Sequence, residues 1–235
     1  MATRIKFDPK LSHVLGFRHG PRAARPPAGN VWDYHQMLST KAPEIARLTK
    51  AVFFPDIVPV ELRCSQIPRS AQTLGLLWPE LIPQIKLDRR LGIEFEDIPQ
   101  WSAIDGYPNA YDMTPQDQHS LCPYLVDKCG RNFLEAARVL AGFVGHVGLG
   151  HVGVMCSHMP IADCGARFAR LALGITENDG WLPGTGFGSG AFVHLGFVQH
   201  YCESFFDLVS CEYYPAIEPE LEILKSSMNP SGWNG

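Results

Sequence analysis

Five side chains could together hold and transfer a phosphoryl group. Arg18, His19 and Arg22 fall in the stretch Phe17-Arg18-His19-Gly20-Pro21-Arg22, and Arg69 and His158 stand much further along. A phosphate ester can be cleaved without metal if a nucleophile takes the phosphoryl group, cations hold its oxygens and an acid protonates the departing alcohol. Imidazole suits the first task, because near neutral pH a usable fraction is uncharged. Guanidinium forks suit phosphate geometry. Gly20 admits close backbone approach to a bound oxygen, and Ser157, beside His158, offers a further substrate contact. The third role needs a carboxylic acid, and Glu94, Glu96 and Asp97 are the nearest acidic cluster.

These residues must be positioned by strand ends. The apolar run from His13 to Phe17 reads as a strand ending at Arg18-His19-Gly20, where Pro21, Pro26 and Pro27 stop it. A mostly helical pattern from Tyr34 to Phe54 places Ile45, Leu48 and Val52 on one face, with Pro43 dividing it. Residues 58–65 read as a second strand and 70–78 as the helix after it, with Arg69 in the connecting turn. A short third strand at 85–87 leads towards Glu94. Residues 98–128 lack sustained periodicity and read as an inserted loop region over the site. A helix is expected at 131–144, a buried strand at 151–156 ending at Ser157-His158, and a helix carrying Ile161, Cys164, Phe168 and Leu171. Late strands are expected at 191–197 and near 206–209. Strands alternating with helices imply an α/β fold, a three-layer αβα sandwich with a mostly parallel central sheet. In such sheets the ligand crevice lies at the carboxyl ends of the strands, where Arg18, His19, Arg69 and His158 all fall.

Composition narrows the classes. With 46% hydrophobic and 19% charged residues the chain has the apolar material for one domain. A net charge of −4 and a pI near 6.1 give no basic field for nucleic acid or an anionic membrane. Seven cysteines without paired spacing favour reduced thiols and a cytoplasmic setting. The N-terminus lacks the apolar core of a signal peptide. His146 and His151 lack companion ligands at regular spacing, so no metal is expected. The Gly-rich stretch 184–190 lacks the lysine of a P-loop.

The pieces Arg18-His19-Gly20, Cys64-Ser65 with Arg69-Ser70-Ala71-Gln72-Thr73, and Val154-Met155-Cys156-Ser157-His158 occur in the order and spacing of a known family. From about residue 12 to residue 173 the chain resembles the histidine phosphatase superfamily, the phosphoglycerate-mutase-like or RHG-motif proteins. The resemblance implies a phosphoglycerate-mutase-like fold and a metal-independent phosphatase without cofactor. In such an enzyme His19 is the nucleophile, Arg18, Arg69 and His158 surround the phosphate, and Glu94 is the proton donor. Arg22 is similar to the corresponding arginine of the acid-phosphatase branch and of the suppressors of T-cell-receptor signalling, as is the tail around Leu195-Gly196-Phe197 and 206–209.

Two departures bear on the chemistry. Pro21, Arg22 and Ala23 replace the small hydroxyl residue and Asn of phosphoglycerate mutases, which speaks against mutase activity. Met159 stands where the acid-phosphatase branch carries its acidic donor, so the donor must come from elsewhere, with Glu96 and Asp97 competing with Glu94. The expected partner is a phosphorylated small molecule or phosphopeptide, Trp101, Tyr107, Tyr111 and Tyr124 favouring an aromatic leaving group. No nucleic acid or membrane is expected, and a homodimer is left open. An inactive phosphate-binding member of the same fold is the alternative, with phosphomutase third.

Overall fold

The computed structural model describes residues 4–21, 23, 37–91, 142–158, 189–200 and 206–217. Its first strand, β1 (Ser12–Arg18), carries the apolar run and ends where the sequence reading places it. The first helix, α1 (Ala42–Phe53), begins at the proline expected to divide it: Pro43 sits in the first turn. A fixed φ and a missing N–H suit proline to that position and no later one. Its fully buried residues are Ala42, Ala46, Thr49 and Phe53, while the expected Leu48 and Val52 are only half-buried at the margin of the stripe.

Strand β2 (Glu61–Cys64) is shorter than the apolar pattern suggests, and Val58 and Val60 are exposed. Helix α2 (Pro68–Leu77) follows, with Pro68 opening it, so Arg69 lies inside the first helical turn rather than in the connecting turn. After a short 3-10 stretch comes β3 (Ile85–Leu87). Residues 142–147 are helical, and β4 (Val152–Ser157), β5 (Phe192–Gln199) and β6 (Phe206–Tyr214) complete the described strands. The expected lid at 98–128, the helix carrying Ile161 to Leu171 and most of the helix at 131–144 lie outside the described residues.

The strand order is β3-β2-β4-β1-β5-β6. The first four run parallel, whereas β5 lies antiparallel to β1, and β6 to β5. The sheet is therefore parallel where the site forms and antiparallel at one edge. Side chains alternate between its faces. Leu15, Phe17, Leu62, Val154, Cys156 and Phe192 pack under α1 and α2. Val14, Met155, Val193 and Leu195 pack with Phe143, Val144 and Val147 on the other face.

Aromatic rings floor the first face. Phe17 stacks on Phe192 at 4.7 Å and Phe54 on Trp78 at 5.5 Å. The indole N–H of Trp78 donates to the Ile57 carbonyl at 2.9 Å. Each such ring contributes roughly 1.5–3 kcal/mol by burial, so the floor beneath His19 is stiff.

On the second face the helical segment lies directly against β4. A Cβ built on Gly153 would sit 2.4 Å from both Phe143 and Val147, which are fully buried and cannot swing aside. Gly153→Ala is expected to lower stability by about 2–3 kcal/mol, read as a lower urea midpoint. An unchanged midpoint would refute this packing.

At the N-terminal end of β1 a histidine pair is buried between strands. His13 Nε2 lies 2.8 Å from the Asp8 carbonyl, which can only accept, so this nitrogen carries a proton. Its Nδ1 then accepts from His194 Nε2–H at 3.0 Å. Phe7 meets both rings edge-on.

Candidate active site

The C-terminal ends of β1 and β4 and the start of α2 meet around His19. The backbone of His19 is held on both sides: its N–H donates to the Ser157 carbonyl and its own carbonyl accepts from Gly190 N–H, both at 3.0 Å. Gly190 has φ of 82°, a left-handed conformation glycine adopts without strain, and this turns the chain into β5 beneath His19.

The side chain of His19 is 5% exposed, and its Nδ1 lies 2.7 Å from the Gly20 carbonyl. A carbonyl can only accept, so Nδ1 is the protonated nitrogen and Nε2 keeps its lone pair. Burial, and then the neighbouring His158, Arg18 and Arg69, hold the His19 pKa well below its ordinary value against the opposing pull of the Gly20 bond. The ring therefore stays neutral and nucleophilic well into acid.

Gly20 is fixed in turn by Thr73, whose Oγ1 accepts from Gly20 N–H at 3.0 Å. One turn earlier on α2, the Arg69 carbonyl accepts from the Thr73 hydroxyl at 2.8 Å. Arg69 is 2% exposed in the first turn of α2, so its guanidinium adds to the positive end of the helix dipole. The loop bearing the nucleophile and the helix bearing the arginine are thus tied through one threonine.

His158 enters directly after β4 and is also 2% exposed. Its ring centre lies 5.0 Å from that of His19, with 54° between the planes. Ser65 Oγ, directly after β2, is 2.7 Å from His158 Nε2 and 3.0 Å from Ser70 Oγ. Arg18 is half-buried at the end of β1 and close enough to act on His19.

The structure thus gathers Arg18, His19, Gly20, Arg69 and His158. Ser157 sits beside them, but its hydroxyl donates to the Leu91 carbonyl at 2.6 Å; its part in the site is the backbone carbonyl that holds His19. Arg22, Glu94, Glu96 and Asp97 lie outside the described residues. Thr73, Ser65 and Ser70 are site residues to which sequence reasoning gave no role. For Ser70 and Thr73 the signal was helical spacing, because positions 69, 70 and 73 fall on one side of α2, whereas Ser65 precedes the helix and carried no such signal.

Among the described residues no group of three or more His, Cys, Asp or Glu is gathered as metal ligands. None of the described helices is long and apolar enough to cross a membrane.

A parallel sheet extended by an antiparallel edge, covered on both faces and carrying paired histidines at its carboxyl ends, defines an α/β fold of the phosphoglycerate-mutase-like type. Solved structures share it. A protein of Escherichia coli K-12 provisionally described as an alpha-ribazole-5'-P phosphatase aligns with a TM-score of 0.53 at 15% identity, over 88% of this chain and 98% of its own. The alpha-ribazole phosphatase of Shigella flexneri aligns with a TM-score of 0.51 at 14% identity, over 88% and 99%. Both have the fold of the histidine phosphatase superfamily, and this chain shares that fold. No protein-family model matches the sequence. No curated protein matches it at the level of sequence.

Proposed function

We propose that the chain is a phosphatase of the histidine phosphatase superfamily that hydrolyses a phosphomonoester through a phosphohistidine on His19. The observation that carries this reading is the buried His19, held by its Nδ1–H on the Gly20 carbonyl, which leaves Nε2 as the atom for nucleophilic attack.

The substrate phosphoryl group binds among Arg18, Arg69 and His158, with Arg22 as a further cation. The lone pair of His19 Nε2 attacks phosphorus in line with the ester oxygen, forming the P–N bond as the P–O bond breaks. The departing oxygen takes a proton from a carboxylic acid, for which Glu94 is proposed ahead of Glu96 and Asp97. Support for Glu94 comes from Leu91, three residues earlier, whose carbonyl is held by Ser157 next to His158. Water then attacks phosphorus, the carboxylate takes its proton, the P–N bond breaks, and inorganic phosphate leaves with His19 restored. Fixed positive charge on the equatorial oxygens supplies most of the catalysis. The reading requires no metal or cofactor, and its substrate is a phosphorylated small molecule or a phosphopeptide.

Rapid quenching with a phosphorus-labelled substrate should trap acid-labile phosphate on His19. Turnover without any trapped phosphohistidine under single-turnover conditions would overturn the scheme. Arg69→Lys is expected to cost roughly 100-fold in kcat/KM, because a point charge replaces a two-pronged donor. Kinetics close to wild type would remove Arg69 from the phosphate site.

A further inference from the structure

The loop that carries His19 can be accounted for one peptide group at a time. The His19 N–H donates to the Ser157 carbonyl and the His19 carbonyl accepts from Gly190 N–H, both at 3.0 Å. The next N–H, on Gly20, donates to Thr73 Oγ1 at 3.0 Å. The Gly20 carbonyl accepts from His19 Nδ1–H at 2.7 Å, and its peptide has no N–H of its own because Pro21 follows. The Pro21 carbonyl accepts from Ser39 N–H at 2.8 Å. Ser157, Gly190 and Ser39 thus hold the loop by their own backbone, whatever their side chains. Thr73 holds it by a side chain.

The direction of the Thr73 hydroxyl follows from its two partners. The Arg69 carbonyl, 2.8 Å away, can only accept, so the single hydrogen of the hydroxyl goes to it. A lone pair is left facing Gly20 N–H, which can only donate. Thr73 is 5% exposed and Gly20 is buried, so bulk water does not compete for either bond.

We infer that Thr73 is a positioning residue for the nucleophile: its hydroxyl fixes Gly20 by the N–H, so that the carbonyl of the same residue keeps the His19 ring in its Nδ1–H form with Nε2 free to attack. Gly20 has no side chain to pack, and glycine backbone turns more freely than any other. Among the described residues its own polar groups meet only Thr73 and His19. Pro21 sharpens the requirement. If the Gly20–Pro21 peptide rotated, an ordinary residue would offer His19 an N–H in place of the carbonyl, and proline offers nothing. The Nδ1–H is therefore satisfied in one orientation of Gly20 only, and a buried donor left without a partner is costly.

Arg69 stands one turn before Thr73 on α2, so the helix that carries the phosphate-binding guanidinium also sets the nucleophile. Gln72, the neighbour of Thr73, adds a hold of another kind: its Oε1 accepts from Leu38 N–H at 3.0 Å, beside Ser39. Leu38 and Gln72 are half-buried, so water can take over that bond, whereas the bond at Thr73 is closed to it.

The catalytic part of this role rests on the phosphatase reading, whereas the state of the His19 ring can be read without turnover. Thr73→Val keeps the shape of the side chain and removes the hydroxyl. Nitrogen NMR of the full chain with 15N-labelled histidine, the His19 signals assigned by their absence from His19→Ala, should show the wild-type ring in its Nδ1–H form near neutral pH. In Thr73→Val a share of the ring should pass to the Nε2–H form, and Thr73→Ser should return it. With a phosphomonoester, Thr73→Val should lower kcat by about 10–100-fold and leave KM within about twofold, because the reacting atom is misplaced while the phosphate cations stay. Thr73→Ser should recover most of that loss. Thr73→Ala, which favours the helix, should reproduce the changes seen in Thr73→Val. Either variant with its His19 ring wholly in the Nδ1–H form, or with wild-type kcat, would overturn the inference, even if its melting temperature fell. A ring that follows Thr73 in a protein that cleaves no phosphomonoester would fail the functional reading and leave the positioning in place.

Discussion

His19→Ala is expected to lower kcat for any accepted phosphomonoester by about 10⁴-fold or more, since removing a covalent nucleophile leaves only binding and fixed charge to act. The effect should be the same with a metal chelator present, because the proposed scheme routes no step through an ion. The variant should remain folded: the backbone of His19 is held by Ser157 and Gly190 whatever its side chain. A melting temperature within a few degrees of wild type would separate lost chemistry from lost structure. The pH profile carries a second mark of the same residue. Its lowered pKa keeps His19 neutral below the ordinary value of 6.5, so the limb of kcat/KM set by its protonation should fall well on the acid side of that value. A limb near 6.5, or turnover surviving in His19→Ala, would each argue against a buried histidine nucleophile.

Acid should also unfold the protein early, through groups remote from that chemistry. Burial and the neighbouring His13 lower the His194 pKa from 6.5 to about 4, and burial lowers His13 as well. The unfolded chain binds protons at these rings before the folded chain does. Stability is therefore full above about 6.5 and drains away as pH falls towards about 4, with His194 alone worth roughly 3 kcal/mol over that window. His19 acts in the same direction. Because the pair shares a hydrogen bond, its protons arrive in steps that belong to both rings. Urea midpoints measured across the window should drop steeply in wild type and much less steeply in His194→Gln, which cannot charge. Equal slopes in the two proteins would mean that the pair is open to water.

The sequence made most of the strands legible, for a physical reason. In β1, β4 and β5 both faces are covered, so the apolar runs from His13 to Phe17, Val152 to Cys156 and Ala191 to Phe197 are nearly continuous and hard to misread. Arg18, His19 and His158 fall just where those runs end. The errors arise where local and tertiary signals part. Pro43 looks like an interruption when helical spacing is counted from Tyr34, but a proline that opens a helix and one that breaks it are the same residue, told apart only by where the hydrogen bonds begin. Val58 and Val60 carry strand propensity yet stay exposed, although the Val60 N–H still donates to the Val152 carbonyl at the start of β4. The antiparallel edge could not be read, because the direction of β5 depends on which side of β1 it joins. The Thr73, Ser70 and Ser65 network was hidden for a related reason: a hydroxyl reveals its task only when its partners, from Gly20 to His158, are brought beside it.

The position of β1 in the sheet has a consequence for how the protein is made. Both of its neighbours come late in the chain: His13 pairs with Val152 on one side and with Gly196 on the other. On a ribosome adding roughly 5–20 residues per second, the strand ending in Arg18 and His19 waits on the order of 10 s for β4, and longer for β5. Through that interval its apolar residues have no sheet to join. A strand central to the finished sheet is thus, for that interval, an apolar segment of the nascent chain without its sheet partners.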